Sequence, residues 1–385
     1  MPHPNAPIPY SRPALSGAEG RLIREVLRSG WLTTGPMVER FERAFAAKVG
    51  AAFAVSFSSG TSALIGACAA AGLTHKHRLI TSTMSFIASA HCGRFFGADV
   101  DLADVDADTL NISVDQFKEG LRKATRVAVI VHYAGHPADL RDLSRVCRQR
   151  RVVLIEDAAH ALGAIYKGST IGDGRFSDLC CFSFHPTKLI TSGEGGMITT
   201  NRKDFYEHLR TFRSHAMRRP ANLQPWEYDC AELSFNWRLS DVHSAVGLAQ
   251  LTRMDQFLAQ RRRIASYYDR RFGEYDELVV PVERPGCRHA YHLYVLRFRL
   301  GKLTIDRRAI YDHLRRHNIW PQVHYRPIHR HSYYRKLGFR TRDFPVAEEA
   351  YRSMLSIPIY PGLSNRDMKH VADIICQLVE RTRRA

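Results

Sequence analysis

At 385 residues, with 45% hydrophobic and 24% charged side chains, the chain is long enough for one large core and a smaller second one. No apolar run approaches the roughly 20 residues of a membrane span, and the polar, proline-rich start MPHPNAPIPYSRP has no apolar export core. Eight cysteines without a C-x-x-C pair read as reduced, packed thiols in the cytoplasm, against both a disulfide scaffold and a zinc site, and the formal charge of +18 is spread along the chain, which argues against nucleic acid and is compatible with steering a polyanionic small molecule.

Five prolines make residues 1–16 an extended arm. The stretch 16–30 reads as an amphipathic helix with Ser16 as N-cap and Gly30 at its end. WLTTGP (31–36) is a loop, and 37–50 a second helix with Val38, Phe41, Phe45 and Val49 on one face. Alternation follows: strand 52–57, a Gly/Ser turn and small-residue helix 58–73, strand 78–83, helix 86–97, strand 127–133, helix 140–151 and strand 152–157. CCFSF (180–184) and MITTN (197–201) are further strands. Continuous apolar strands separated by helices indicate a parallel sheet covered on both faces. Its ligands bind beyond the carboxyl ends of the strands.

Helical stretches continue to about 262. The texture then changes: YHLYVLRFRL (291–300) alternates as a half-exposed strand, 307–318 is a helix, WPQVHY (320–325) a strand, and 347–355 and 366–384 are helices. The expected organisation is an arm and helix over 1–30, a large domain over 31–260 and a smaller α+β domain over 261–385.

The chemistry gathers around SFHPTKLITSGEGGMITTN (183–201). Lys188 follows a buried strand, where loss of water lowers an amine's pKa and makes it nucleophilic, as a Schiff-base lysine requires. Ser183, Thr187, Thr191 and Ser192 offer donors, and the glycines allow close backbone approach. Gly60 and Thr61 stand at a strand-to-helix turn whose free N–H groups suit a phosphate. Phe86 offers a ring for a planar heterocycle. Asp157 ends a buried strand, where a carboxyl group can meet a protonated pyridine nitrogen. In that chain order these are the parts of a pyridoxal 5'-phosphate (PLP) site. His324, His329 and His331 have no carboxylate among them and fit no familiar metal-ligand spacing, so no metal is expected. His160 reads as a partner of the site and not as its base.

SSGTSAL, IEDAAHALGA, SFHPTKLITSGEGGMITTN, FRSHAM, SFNWRLSDVHSAVGLAQL and VHYRPIH resemble the DegT/DnrJ/EryC/StrS nucleotide-sugar aminotransferases, from GWLTTGP to SIPIYPGLS. The resemblance implies the fold-type I, aspartate-aminotransferase-like α/β architecture: a large, mostly parallel sheet with a smaller C-terminal domain. Lys188 would hold the cofactor aldehyde and then serve as general base. Asp157 would bind the ring nitrogen and Phe86 stack on the ring. Gly60, Thr61 and Ser183 would hold the phosphate, joined by Asn236 from the second subunit of a homodimer. Tyr10, the loop Gly30, Trp31, Leu32 and Thr33, Arg238, and the strand Gln322, Val323, His324 and Tyr325 would contact a nucleotide-sugar. The implied reaction moves an amine from L-glutamate, leaving 2-oxoglutarate, to C4 of a UDP-linked 4-keto-6-deoxy-N-acetylhexosamine. Rivals are a dTDP- or GDP-linked ketosugar, a 4-amino-arabinose enzyme, or a non-catalytic regulator on the same scaffold. A dehydratase is disfavoured because Lys188 is present. Ala216, Trp237 and His136 depart from the usual glycine, Tyr/Phe and Gln, and His136 and Ala216 are expected near the sugar.

Overall fold

The structure is a computed structural model that describes residues 7–384; the first six residues of the expected arm lie outside the described residues. Helix α1 (Gly17–Ser29) starts where Ser16 and Glu19 form a reciprocal capping box, and stops at Gly30, whose φ of 73° ends the helix in the left-handed region. Helix α2 (Pro36–Val49) has proline in its first turn and Gly50 after it. These ends were legible because caps are local chemistry.

The large sheet is built from β1 (Phe53–Phe57), β2 (Arg78–Ser82), β3 (Asp99–Ala103), β4 (Thr125–Val131), β5 (Val153–Asp157), β6 (Leu179–Ser183) and β7 (Gly196–Thr200). Their order is β1-β7-β6-β5-β4-β2-β3, and only β7 runs against the rest. Strand β3 escaped the sequence reading because DVDLA carries two aspartates. Arg78 on the neighbouring strand pairs with both Asp99 and Asp101, so the charges sit at a sheet edge.

Period-2 alternation divides each strand between two cores. Val127 and Val129 face one side with Leu79, Ile155 and Cys181. Ala128 and Ile130 face the other with Ile80, Leu154, Phe182 and Met197. Helices α3 (Gly60–Ala70) and α4 (Ala88–Arg94) cover the first face, α2, α5 (Val114–Gly120) and α6 (Leu140–Arg150) the second.

Beyond α7 (Lys203–Phe212) and α8 (Asp241–Leu251), α9 (Met254–Phe272) is continuous through the expected boundary at 260. Its second half packs Ile264, Tyr268 and Phe272 into a third core with the antiparallel strands β8 (Leu278–Val279), β9 (Tyr294–Phe298) and β10 (Met354–Ile357). Helices α10 (Arg307–Arg316) and α12 (Asn365–Thr382) complete it, while α11 (Pro345–Ser353) leads directly into β10. Two expectations fail here. The helix drawn over 347–355 ends at Ser353, because Met354 and Leu355 enter the sheet. The strand drawn over 320–325 reduces to Ile319–Trp320, paired with Ile8–Pro9 of the arm, plus one bridge from Gln322 to Ser356. His324 and Tyr325 leave the ladder and turn toward the large sheet.

Candidate active site

Every strand-end motif singled out in the sequence opens into one cavity of about 380 Å³ at the carboxyl ends of β1, β2, β4, β5 and β6. Its wall includes Gly60 and Thr61 after β1, Phe86 after β2, Asp157 at the end of β5, and Ser183 and Lys188 at and after β6. Tyr10, His324 and Tyr325 close it from the arm and the C-terminal part.

At the start of α3, the Ser59 hydroxyl accepts the Ser62 N–H at 3.1 Å, and the Ser62 hydroxyl accepts the Ser59 N–H at 2.9 Å. That capping box satisfies two of the four orphan donors and leaves those of Gly60 and Thr61. The turn is pressed hard against β6 and β7. A Cβ at Gly60 would meet Ser183 Cβ at 2.8 Å, and one at Gly196 would meet the Ser59 carbonyl and lie 2.9 Å from the Gly60 nitrogen. Two glycines therefore let the turn pack directly on β6 and β7, with Gly60 and Thr61 left in the cavity wall as a niche of free N–H donors.

The lysine loop is closed by its own hydroxyls. The Thr191 Oγ1 donates to the Phe184 carbonyl at 2.9 Å and accepts the Gly193 N–H at 2.9 Å; Ser192 Oγ donates to the Glu194 carbonyl at 2.7 Å. Thr191 and Ser192, read as ligand donors, are thus spent on the loop itself. They fix the position of Lys188, whose own N–H donates to the His185 carbonyl at 2.9 Å. The Lys188 amine makes no hydrogen bond or ion pair among the described residues. It opens onto the cavity but is so packed by protein that poor solvation, opposed by Asp157, pushes its pKa down to about 8.

Asp157 is only 6% exposed. Its Oδ2 accepts the Ser89 hydroxyl at 2.6 Å and its Oδ1 the Ala159 N–H at 3.2 Å. Ser89 was not foreseen: nothing in SFIASAH separates it from packing serines, and only α4 laid across the end of β5 brings it to the carboxyl group. Below lies a second unforeseen pair, buried His132 and Glu156, with Nε2 and Oε2 2.7 Å apart. Phe86 sits in the turn before α4, with 55% of its surface exposed and its ring 5.8 Å from that of Tyr325.

Three imidazoles crowd the cavity floor. His160 Nε2 is hydrogen-bonded to Tyr325 Oη at 2.8 Å, and its ring lies 4.3 Å from that of His292. His324 Nδ1 meets Ser356 Oγ at 2.9 Å. Burial, reinforced by the nearby Lys188, holds all three far below the usual histidine range, His324 at about 3. His292 and Tyr133, whose hydroxyl donates to the His324 carbonyl, gave no sequence signal.

The remaining expected residues lie elsewhere. Gln322 and Val323 are outside the cavity wall; Gln322 exchanges backbone hydrogen bonds with Ser356 and Val323 packs into the core. Gly30, Trp31, Leu32, Thr33, Asn236 and Arg238 also stand outside it but near one another: Thr33 bridges Ser240, and the Leu32 carbonyl accepts the Asp241 N–H at 3.0 Å. Arg238 and Gly35 share a second cavity of about 430 Å³, and Asn236 is exposed. His136 is buried away from Lys188, its Nε2 accepting the Arg284 N–H at 3.1 Å, and Ala216 is fully buried at a φ of 52°. Neither lines the Lys188 cavity. The left-handed φ is itself a reason for glycine at 216.

The chain belongs to the DegT/DnrJ/EryC1/StrS aminotransferase family, whose model matches residues 14–376. It is 35% identical over 380 residues to the spore coat polysaccharide biosynthesis protein SpsC of Bacillus subtilis, covering 97% of each chain. It superposes on Spr1654 of Streptococcus pneumoniae in its PMP form with a TM-score of 0.92 at 27% identity, covering 97% of this chain and 99% of that one. Helicobacter pylori PseC, an aminotransferase involved in the biosynthesis of pseudoaminic acid, superposes with a TM-score of 0.90 at 28% identity, covering 97% and 100%. The chain is a PLP-dependent sugar aminotransferase of fold type I. The cavity fits that cofactor: a free amine of lowered pKa, a buried carboxyl group, an exposed ring and the free N–H donors of a helix start surround one space.

Proposed function

We propose that the chain transfers the amino group of L-glutamate to C4 of a UDP-linked 4-keto-6-deoxy-N-acetylhexosamine, giving UDP-4-amino-4,6-dideoxy-N-acetyl-β-L-altrosamine on the route to pseudaminic acid. The observation that carries the sugar is the wall opposite the sheet. Tyr10, His160, His292, His324 and Tyr325 are neutral hydrogen-bonding groups, and no arginine lines the cavity among the described residues. A wall of this kind suits a hydroxylated, uncharged ring; a site built for a dicarboxylate alone would need fixed cations.

PLP, when bound, supplies an aldehyde to carry the amine and a ring that delocalises negative charge from the neighbouring carbon. The chain's own residues do the rest. Lys188 holds the aldehyde and, once released, takes a proton from one carbon and returns it to another on the same face. An amine with a pKa near 8 is well placed for both acts. The imidazoles beside it stay neutral and do not trap that proton. Asp157, oriented by Ser89 and the Ala159 N–H, meets the ring nitrogen; Phe86 covers the ring face; Ser183 and the Gly60 and Thr61 N–H groups hold the phosphate.

In this reading the enzyme is a cytoplasmic homodimer. The residues expected at the substrate fall into two groups on one chain, Tyr10 with His324 and Tyr325 at the cavity, and the Gly30–Thr33 loop with Asn236 and Arg238 away from it. Two half-sites brought together by a second copy account for both. The division at 1–30, 31–260 and 261–385 belongs to the same reading, with α9 as the link.

The test is a panel of UDP-, dTDP- and GDP-linked 4-ketosugars with glutamate, with the product's configuration read by NMR. Preferred amination of the UDP-N-acetyl sugar is expected. Because the identity to SpsC is higher than that to PseC, the second reading is a dTDP- or GDP-linked ketosugar of another surface polysaccharide, and preferred turnover of one of those would replace the first.

A further inference from the structure

Three stretches far apart in the chain meet in one polar knot beneath the phosphate niche. Glu42 Oε1 accepts the Ser56 N–H at 2.8 Å and the Ser56 hydroxyl at 2.7 Å. It also pairs with Arg213, whose Nη1 donates to the Ser56 carbonyl at 3.0 Å; the arginine and glutamate side chains are 14% and 10% exposed. The Arg213 carbonyl accepts the Trp237 N–H at 2.9 Å, and the Trp237 carbonyl accepts the Ser58 N–H at 2.7 Å. Ser58 leads into the Gly60 turn, and Trp237 follows Asn236. The chain's own niche and the segment bearing Asn236 are thus joined by one peptide hydrogen bond and tied to one ion pair.

A buried ion pair contributes little net stability, because desolvation offsets the attraction; what it does provide is fixed geometry for the groups that satisfy it. Neither side chain reaches the Lys188 cavity, although both line the second cavity with Arg238. Building on the shared-site reading above, we infer that Glu42 and Arg213 are positioning residues that set two cofactor sites at once: this chain's own through Ser58 and Gly60, and the second subunit's through Asn236.

The test uses mixed dimers in which one chain carries Lys188→Ala, so that only the other site develops the visible band of lysine-linked coenzyme on titration with PLP. Arg213→Met on either chain is expected to weaken binding at that reporting site about tenfold, the scale of one lost charge-assisted hydrogen bond. Arg213→Lys is expected to recover most of the affinity. Ser56→Ala leaves the ion pair in place and is expected to act in the same direction, more weakly, from either chain; it decides the matter where Arg213→Met does not assemble. An effect seen only from the reporting chain, or none, overturns the inference. Asn236→Ala in the same dimers separates the two ideas. If it weakens binding only from the silent chain while the knot variants act only from their own, the inference alone falls; if it has no effect from the silent chain, the shared-site reading falls and the inference with it.

Discussion

Gly60 and Ser183 stand so close that a single added methyl group at 60 would lie 2.8 Å from the serine Cβ. The approach joins the turn after β1 to the end of β6, and in the proposed reading a phosphate bound beside it would meet the backbone of the first and the hydroxyl of the second.

Gly60→Ala is expected to weaken coenzyme binding by about tenfold or more, since the new Cβ displaces either Ser183 or the ligand by several tenths of an ångström. Titration of the coenzyme-free enzyme measures it. Unchanged affinity would remove this turn from the phosphate site.

Lys188→Ala is expected to abolish both turnover and the visible coenzyme band while the melting temperature changes little. The position carries a desolvated amine rather than a packing contact. In the wild type, the proton-transfer rate from the enzyme–substrate complex is expected to rise with pH and level off near pH 8, because the base acts when neutral and its pKa is lowered to about 8. A flat profile between pH 6 and 9 in single-turnover experiments would count against Lys188 as the base.

Asp157→Asn is expected to slow turnover far more than Ser89→Ala. In the proposed role the first would remove the carboxylate that partners the ring nitrogen; the second removes one hydrogen bond of 2.6 Å to it, about 1–2 kcal/mol. Equal losses would mean that Ser89 touches the reacting groups directly.

Acid should unfold the protein early. His324, with its pKa near 3, and His160, His289 and His292, all held well below their usual value by burial, stay neutral in the folded chain. The unfolded chain protonates them near pH 6.5, so it binds more protons than the native state at pH 4–6.5. Stability is therefore highest above pH 6.5 and falls as pH falls toward the folded values. Denaturant titrations at pH 7.5, 6 and 5 report the slope, and His324→Gln should flatten it. A midpoint independent of pH over that range would show these imidazoles to be solvated.

What could be read without coordinates was what neighbouring residues decide among themselves. Ser16 and Gly30 end α1 through their own hydroxyl and φ, continuous apolar runs give β4 and β5, and CCFSF reads as a buried strand that carries Lys188 just beyond its end. Chain order alone therefore presented Gly60, Phe86, Asp157, Ser183 and Lys188 as strand-end residues of one sheet. Tertiary structure decided everything that depends on which ends meet. It set β7 antiparallel between β1 and β6, laid Ser89 on Asp157, put His160 against Tyr325, turned His324 into the cavity and kept His136 out of it. The physical reason is range. Caps, turns and periodicity are settled within about one helical turn or a few residues of strand, whereas a desolvated amine or an imidazole kept neutral exists only when segments hundreds of residues apart close over it.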